Sequence, residues 1–160
     1  MAFTERSTTL SNHRGQISLP GGSRDAEDVS LRATAVRETH EELGISAADI
    51  DVVGRLDDVY VFVSNFLIAP YVATLPYEPT FAANPAEVAR TIEVPLDHLR
   101  HPDTLCEEDW LVRGELRRVQ IYQHGPHRIW GATARVIQEF LASEFPQKLA
   151  RPSLFDALRS

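Results

Sequence analysis

Apolar and polar positions alternate through Gly15-Gln16-Ile17-Ser18-Leu19 and then stop at Pro20-Gly21-Gly22, which predicts a short strand entering a loop. Ahead of it, residues 1–14 are polar and read as loop or a ragged strand end. Over residues 28–43 the period changes: Val29, Ala33, Val36, His40 and Leu43 recur at helical spacing. Asp25 or Asp28 is expected to cap the start of that helix, and Gly44 to close its end in a left-handed conformation. Residues 50–56 and 59–63 read as strands, separated by the turn-forming pair Asp57-Asp58. Residues 66–74 are apolar nearly throughout and predict a strand buried on both faces. After a proline-marked loop, 88–94 alternates again, 96–100 is a short helix or turn, and 110–112 with 116–122 forms a hairpin turning near Gly114. Residues 130–145 carry Trp130, Ala134, Ile137, Phe140 and Leu141 at helical spacing, with Trp130 as the core anchor of that helix. Strands and helices mix without regular alternation, so the expected class is α+β, a mixed α/β sandwich with a mixed sheet between helices.

The length of 160 residues fits one compact domain, at roughly 150 residues each. That domain is expected over residues 1–145, followed by a C-terminal tail, 146–160, that is either disordered or packed through Leu154 and Phe155. Apolar residues at 43% and charged residues at 24% are ordinary for a globular chain. Sixteen Lys plus Arg against 23 Asp plus Glu leave a net charge of −7, and Lys148 is the only lysine. This balance disfavours general nucleic-acid and anionic-membrane binding and suits a collector of divalent cations. One cysteine, Cys106, excludes an internal disulfide and fits a reducing compartment. No apolar run approaches the ~18 residues of a membrane span, and the start of the chain has no hydrophobic signal core. Cytoplasmic residence is the expectation.

Within the first predicted helix, Arg37-Glu38-Thr39-His40-Glu41-Glu42 spaces three glutamates three and four apart. They therefore project from neighbouring positions of one face, where like charges weaken a helix. Taken alone, such a run reads as a solvated acidic face with Arg37 for company. It is equally the donor set that the hard cations Mg²⁺ and Mn²⁺ prefer. From Gly21-Gly22 through Arg37-Glu38-Thr39-His40-Glu41-Glu42-Leu43-Gly44, the chain resembles a Nudix box, a glycine-led loop feeding a helix with Arg-Glu-x-x-Glu-Glu-x-Gly. Asp28 stands where that motif has an acid, usually Glu. One extra residue between Gly22 and Arg37, and Thr34-Ala35 ahead of the arginine, resemble the coenzyme A pyrophosphatase branch. Thr4, Arg6, Ser7, Gly15 and Pro20 upstream are similar to the extra motif of that branch. Downstream, Leu56-Asp57-Asp58, Ser64-Asn65-Phe66, Val94-Pro95-Leu96 and residues 129–135 extend the likeness, from about residue 4 to 145. The chain departs from the pattern at Ser11 in place of Arg, Leu19 in place of Phe, Thr39 in place of a small apolar residue and Asn65 in place of Gly.

The resemblance implies a Nudix-like fold and a hydrolase using Mg²⁺ or Mn²⁺. Glu38 and Glu42 would be the firmest metal ligands, and Glu41 a ligand to a second ion or a base that positions water. Arg37 would orient a carboxylate, and Gly21 and Gly22 would let the backbone approach metal and phosphates. Arg6 and Ser7 would contact substrate phosphate, and Arg14 would stand in for the arginine missing at Ser11. The implied reaction is hydrolysis of the pyrophosphate of coenzyme A or acyl-coenzyme A to 3′,5′-ADP and the (acyl-)4′-phosphopantetheine. Two other readings stay open: a Nudix hydrolase of another nucleoside diphosphate derivative (ADP-ribose, NADH or a nucleoside triphosphate), and a non-catalytic nucleotide-binding module. Glu87 is a further candidate base, as are Glu107 and Glu108 if their acidic stretch is a mobile loop. His40 reads as a helix-surface residue. Because the resembling proteins have a strand before Thr4-x-Arg6-Ser7, the usual N-terminal strand is expected to be lacking. That would leave an edge covered by a homodimer, or mark a chain shortened at its start.

Overall fold

A computed structural model of the chain describes residues 1–7 and 15–149. Its elements are β1 (Ala2–Arg6), β2 (Ile17–Ser18), α1 (Leu31–Leu43), β3 (Asp51–Arg55), β4 (Val59–Val61), β5 (Phe66–Ile68), β6 (Tyr71–Thr74), β7 (Val88–Glu93), α2 (Leu96–Arg100), β8 (Leu105–Val112), β9 (Glu115–His124), β10 (His127–Trp130), α3 (Ala132–Ala142) and α4 (Phe145–Leu149). The strands form two three-stranded groups, β2-β1-β7 and β10-β9-β8, and two ribbons, β3-β6 and β4-β5. Every pairing among the described residues is antiparallel, so the expected mixed sheet resolves into antiparallel groups. The α+β class stands.

The opening of the chain corrects the sequence reading. Ala2–Arg6 is a strand, and it lies in the middle of its sheet, with Thr4 opposite Ser18 on one side and Thr91 on the other. Phe3 has no solvent exposure, which explains why a polar stretch holds a central position. Pairing inside the chain covers β1 at Thr4 and Glu5 on the β2 side and along its length on the β7 side. Phe3 joins Ile17, Ile92, Val94, Leu99, Tyr122, Ile129, Ala134 and Ile137 in one core, which ties both three-stranded groups to α2 and α3. Trp130 is half-buried instead of anchoring that core, its ring edge-on to Trp110 at 4.9 Å.

Other expectations shift for local reasons. Residues 66–74 are not one strand buried on both faces: Ala69-Pro70 breaks them into β5 and β6, and Phe66 and Leu67 are 60% and 62% exposed. The acidic run Glu107-Glu108-Asp109 is not a mobile loop but part of β8, where Arg118 of the adjacent β9 and Arg128 of β10 pair with it. The last predicted helix divides at Ser143 into α3 and α4, and Phe145 of α4 closes on Gly54 so tightly that a Cβ there would overlap its ring. Pro146, the first residue of the expected tail, is buried; Leu154 and Phe155 lie outside the described residues.

Candidate functional site

The loop from Leu19 to Ser30 delivers the chain to α1. The helix starts later than expected: Ser30 is its cap, accepting from Ala33 N–H at 3.1 Å, in place of Asp25 or Asp28. Asp28 is turned inward and buried. Its Oδ2 accepts from Asp25 N–H and Thr34 Oγ1, each at 2.9 Å, and its two oxygens take Arg37 Nε at 3.1 Å and Nη2 at 3.0 Å. This two-pronged bond to Arg37, joined by the Asp25 N–H, holds the Asp28 carboxyl far below the usual carboxylate range. Arg37 then reaches further. Nη2 donates to Ser23 O at 3.1 Å, and Nη1 lies 3.0 Å from Glu38 Oε1 and 2.9 Å from Glu41 Oε2. One guanidinium therefore clamps the glycine loop and the carboxylates together.

Which face of α1 points inward is the largest departure from the periodicity argument. Thr34, Glu38 and Glu42, spaced four apart, form the inner stripe, with Thr34 and Glu42 buried. Of the expected apolar stripe, Leu43 is buried, but Val29, Ala33, Val36 and His40 border an open hollow of about 550 Å³ with Ala47 and Ile50, and Val29 is 89% exposed. Glu42 is only 4% exposed and accepts from Gly21 N–H at 3.1 Å. Burial pushes its carboxyl up to about 7; the Gly21 N–H opposes this, and Glu38 and Glu87 add to it. Burial likewise raises Glu38, against the pull of Arg37. Gly22 lies so close that a Cβ on it would sit 2.4 Å from the Glu38 carboxyl carbon. A side chain at this position would push the Glu38 carboxylate out of its present place.

At the far end, Gly44 closes α1 at φ 70°, ψ 17°, as expected, its N–H donating to His40 O at 2.9 Å. The segment preceding β7 docks here. Ala82 N–H donates to Leu43 O at 2.9 Å and Asn84 N–H to Glu42 O at 3.1 Å, while Asn84 Nδ2 donates to Glu87 Oε1 at 3.2 Å. Ser7 N–H donates to Glu87 O at 2.8 Å. Beside it, Arg6 exerts its charge on Glu42, and its Nε is buried without a hydrogen-bond partner.

The structure thus gathers Arg6, Ser7, Gly21, Gly22, Arg37, Glu38, Glu41, Glu42 and Glu87 at one place. Arg14 and Ser11 lie outside the described residues. His40 is exposed, its Nδ1 2.7 Å from Ile45 O, and Asp58 pairs with Arg55 at the strand turn. Sequence reasoning gave Asp28 no partner and passed over Asn84. The available signals were the spacing of Asp28, Thr34 and Arg37, and the turn-forming Asn84-Pro85 pair. Among the described residues, no three His, Cys, Asp or Glu side chains surround a single point fit for an ion. The physical reason is visible: Arg37 occupies oxygens of Glu38 and Glu41, and Gly21 N–H occupies one of Glu42.

The NUDIX domain family matches residues 2–113 of this chain. The chain belongs to the Nudix family. Among curated relatives, an uncharacterized Nudix hydrolase NudL of Photorhabdus laumondii is 38% identical over 139 residues, covering 87% of this chain and 74% of that protein. The NudL of Cronobacter sakazakii is 37% identical over 150 residues, covering 92% and 76%. Among solved structures, the solution structure of the E. coli ORF135 protein aligns over 95% of this chain and 84% of its own, with a TM-score of 0.50 and 19% identity. That likeness supports the Nudix fold alone. No helix among the described residues is long and apolar enough to cross a membrane.

Proposed function

We propose that this Nudix hydrolase cleaves the pyrophosphate of coenzyme A or acyl-coenzyme A and depends on a divalent cation, Mg²⁺ or Mn²⁺. The observation that carries the cation reading is the conflict at Glu42: a buried carboxylate raised to about 7 under the charges of Glu38 and Glu87, with Gly22 packed close on the neighbouring Glu38 carboxylate. Carboxylate oxygens are the donors that a small hard dication prefers, and these would have to turn from Arg37 and the Gly21 N–H to take one. Glu38 and Glu42 would hold it, with Glu41 serving a second ion or positioning water. Such a cation would supply positive charge against the pyrophosphate oxygens and make water easier to deprotonate.

The chain's own residues do the rest. Arg37, pinned by Asp28, sets where Glu38 and Glu41 stand. Glu41, paired with Arg37 and with 47% side-chain exposure, would be open to water and could accept a proton from it. Arg6, with its unsatisfied Nε, is suited to a phosphate oxygen, and Ser7 lies beside it. Attack of water on one phosphorus breaks the bridging P–O bond, and the bridging oxygen leaves with the other phosphate.

The substrate assignment rests on the likeness of Arg6-Ser7, Gly15 and the lengthened box to the coenzyme A branch. Ser11, in place of that branch's arginine, favours the second reading, another nucleoside diphosphate derivative. A panel of coenzyme A, acetyl-coenzyme A, NADH, ADP-ribose and nucleoside triphosphates, each with Mg²⁺ or Mn²⁺, separates the two. Coenzyme A forms should give the highest kcat/KM. Far faster turnover of ADP-ribose or a triphosphate would overturn the assignment.

A further inference from the structure

Residues 82–88, Ala-Ala-Asn-Pro-Ala-Glu-Val, approach α1 from outside the Nudix helix, and one side chain organises their approach. Asn84 precedes a proline, which disfavours helical backbone and leaves its polar groups available to build a turn. All of them are engaged. Its Oδ1 accepts from Ala86 N–H at 3.1 Å, and its carbonyl accepts from Glu87 N–H at 3.1 Å and Val88 N–H at 2.8 Å. Its own N–H donates to Glu42 O at 3.1 Å, on the helix that carries the carboxylates. The one group left over, Nδ2, donates to Glu87 Oε1 at 3.2 Å.

That last bond opposes electrostatics. Glu87 is half-buried, and its negative charge acts on both Glu38 and Glu42. A glutamate side chain has three rotatable bonds, and left to itself would gain both rotamer freedom and hydration by swinging away from two other carboxylates. Its backbone is fixed by the bond from Ser7 N–H at 2.8 Å, but that bond says nothing about where the carboxylate points. The Asn84 amide is the group that directs it.

We propose that Asn84 is a positioning residue, whose side-chain amide holds the Glu87 carboxylate where its charge acts on Glu38 and Glu42, so that the site draws negative charge from the β7 side as well as from α1. This rests on the cation-dependent reading above and deepens it. The competing explanation is that Asn84 merely stabilises a turn. Asn84→Ser separates the two, since a serine hydroxyl can still accept from Ala86 N–H, and the bond to Glu42 O uses the main chain. Only the amide aimed at Glu87 is lost.

The test uses the full chain with Mn²⁺ alone as probe, following free Mn²⁺ by electron paramagnetic resonance for wild type, Asn84→Ser, Glu87→Gln and the double variant. Asn84→Ser should weaken Mn²⁺ binding about tenfold, as loss of a group that orients a ligand typically does. Glu87→Gln should weaken it at least as much. The double variant should bind no more weakly than Glu87→Gln, because the amide then has no carboxylate to hold. Wild-type affinity in Asn84→Ser, or losses that add in full, would overturn the proposal. So would wild-type affinity in Glu87→Gln, even if Asn84→Ser folds poorly. A wild-type chain that binds no Mn²⁺ overturns the cation reading as well, whereas an intact cycle without coenzyme A turnover removes only the substrate assignment.

Discussion

Glu42 combines near-complete burial with a carboxylate that accepts from Gly21 N–H and faces Glu38 and Glu87. Its folded-state value of about 7 lies above the 4.5 of a free glutamate. Between those two values the folded chain holds the extra proton, so this group's contribution to stability is present below pH 4.5 and lost as pH rises through about 7. A cation must compete with the same proton. Mn²⁺ binding is therefore expected to strengthen from pH 5.5 to 7.5 by roughly an order of magnitude, read by titration of the metal-free chain. Glu42→Gln keeps an acceptor for Gly21 N–H and removes the charge. It should reduce metal-dependent hydrolysis by about 100-fold or more while leaving the metal-free thermal midpoint at pH 8 no lower than wild type. Unchanged activity in this variant would remove Glu42 from the site. Asp28 runs the opposite way: its lowered value means that its contribution is present above the ordinary carboxylate range and disappears on acidification.

Helix α1 is held at both ends by residues that serve the site. Gly44 adopts φ 70°, and a Cβ on it would meet Ala82 O at 2.6 Å. Gly44→Ala should therefore cost more than the ~1–2 kcal/mol of the left-handed backbone alone, seen as a lower urea midpoint, because the docked segment must also shift. This end of the helix was legible: the apolar period stops at Leu43 and a glycine follows. The beginning was not, since Asp25, Asp28 and Ser30 are all good caps, and only the distant Thr34 and Arg37 decide that Asp28 turns inward. The three glutamates and Arg37 were legible through the resemblance to the Nudix box, since spacing alone reads as a solvated acidic face, and the inward stripe was not legible at all. Hydrophobicity would bury Val29, while the fold buries Glu42 because the site needs its carboxylates under the glycine loop. The first half of β8 was hidden for a related reason, while its end at residues 110–112 was read as one arm of the hairpin with β9. An acidic run has no apolar alternation to display, and its partners Arg118 and Arg128 are found only once the strands pair.

Across the whole molecule, a net charge of −7 is distributed so that part of it is concentrated around one arginine. Arg37 lies within ion-pair distance of Asp25, Asp28, Glu38 and Glu41, which allows the carboxylates to be gathered before any metal is present. Chelation should then leave a cooperative unfolding transition. The midpoint should fall only by what mass action had added, ~2.7 kcal/mol at a hundredfold excess of ion over its dissociation constant. Loss of cooperative unfolding in EDTA, followed by circular dichroism, would contradict this. The arrangement also changes what metal uptake means. The chain carries its own placeholder cation, so on the proposed reading a dication would enter by exchange: it would draw Glu38 and Glu41 away from a guanidinium tethered to Asp28, which could reclaim them when the ion departs.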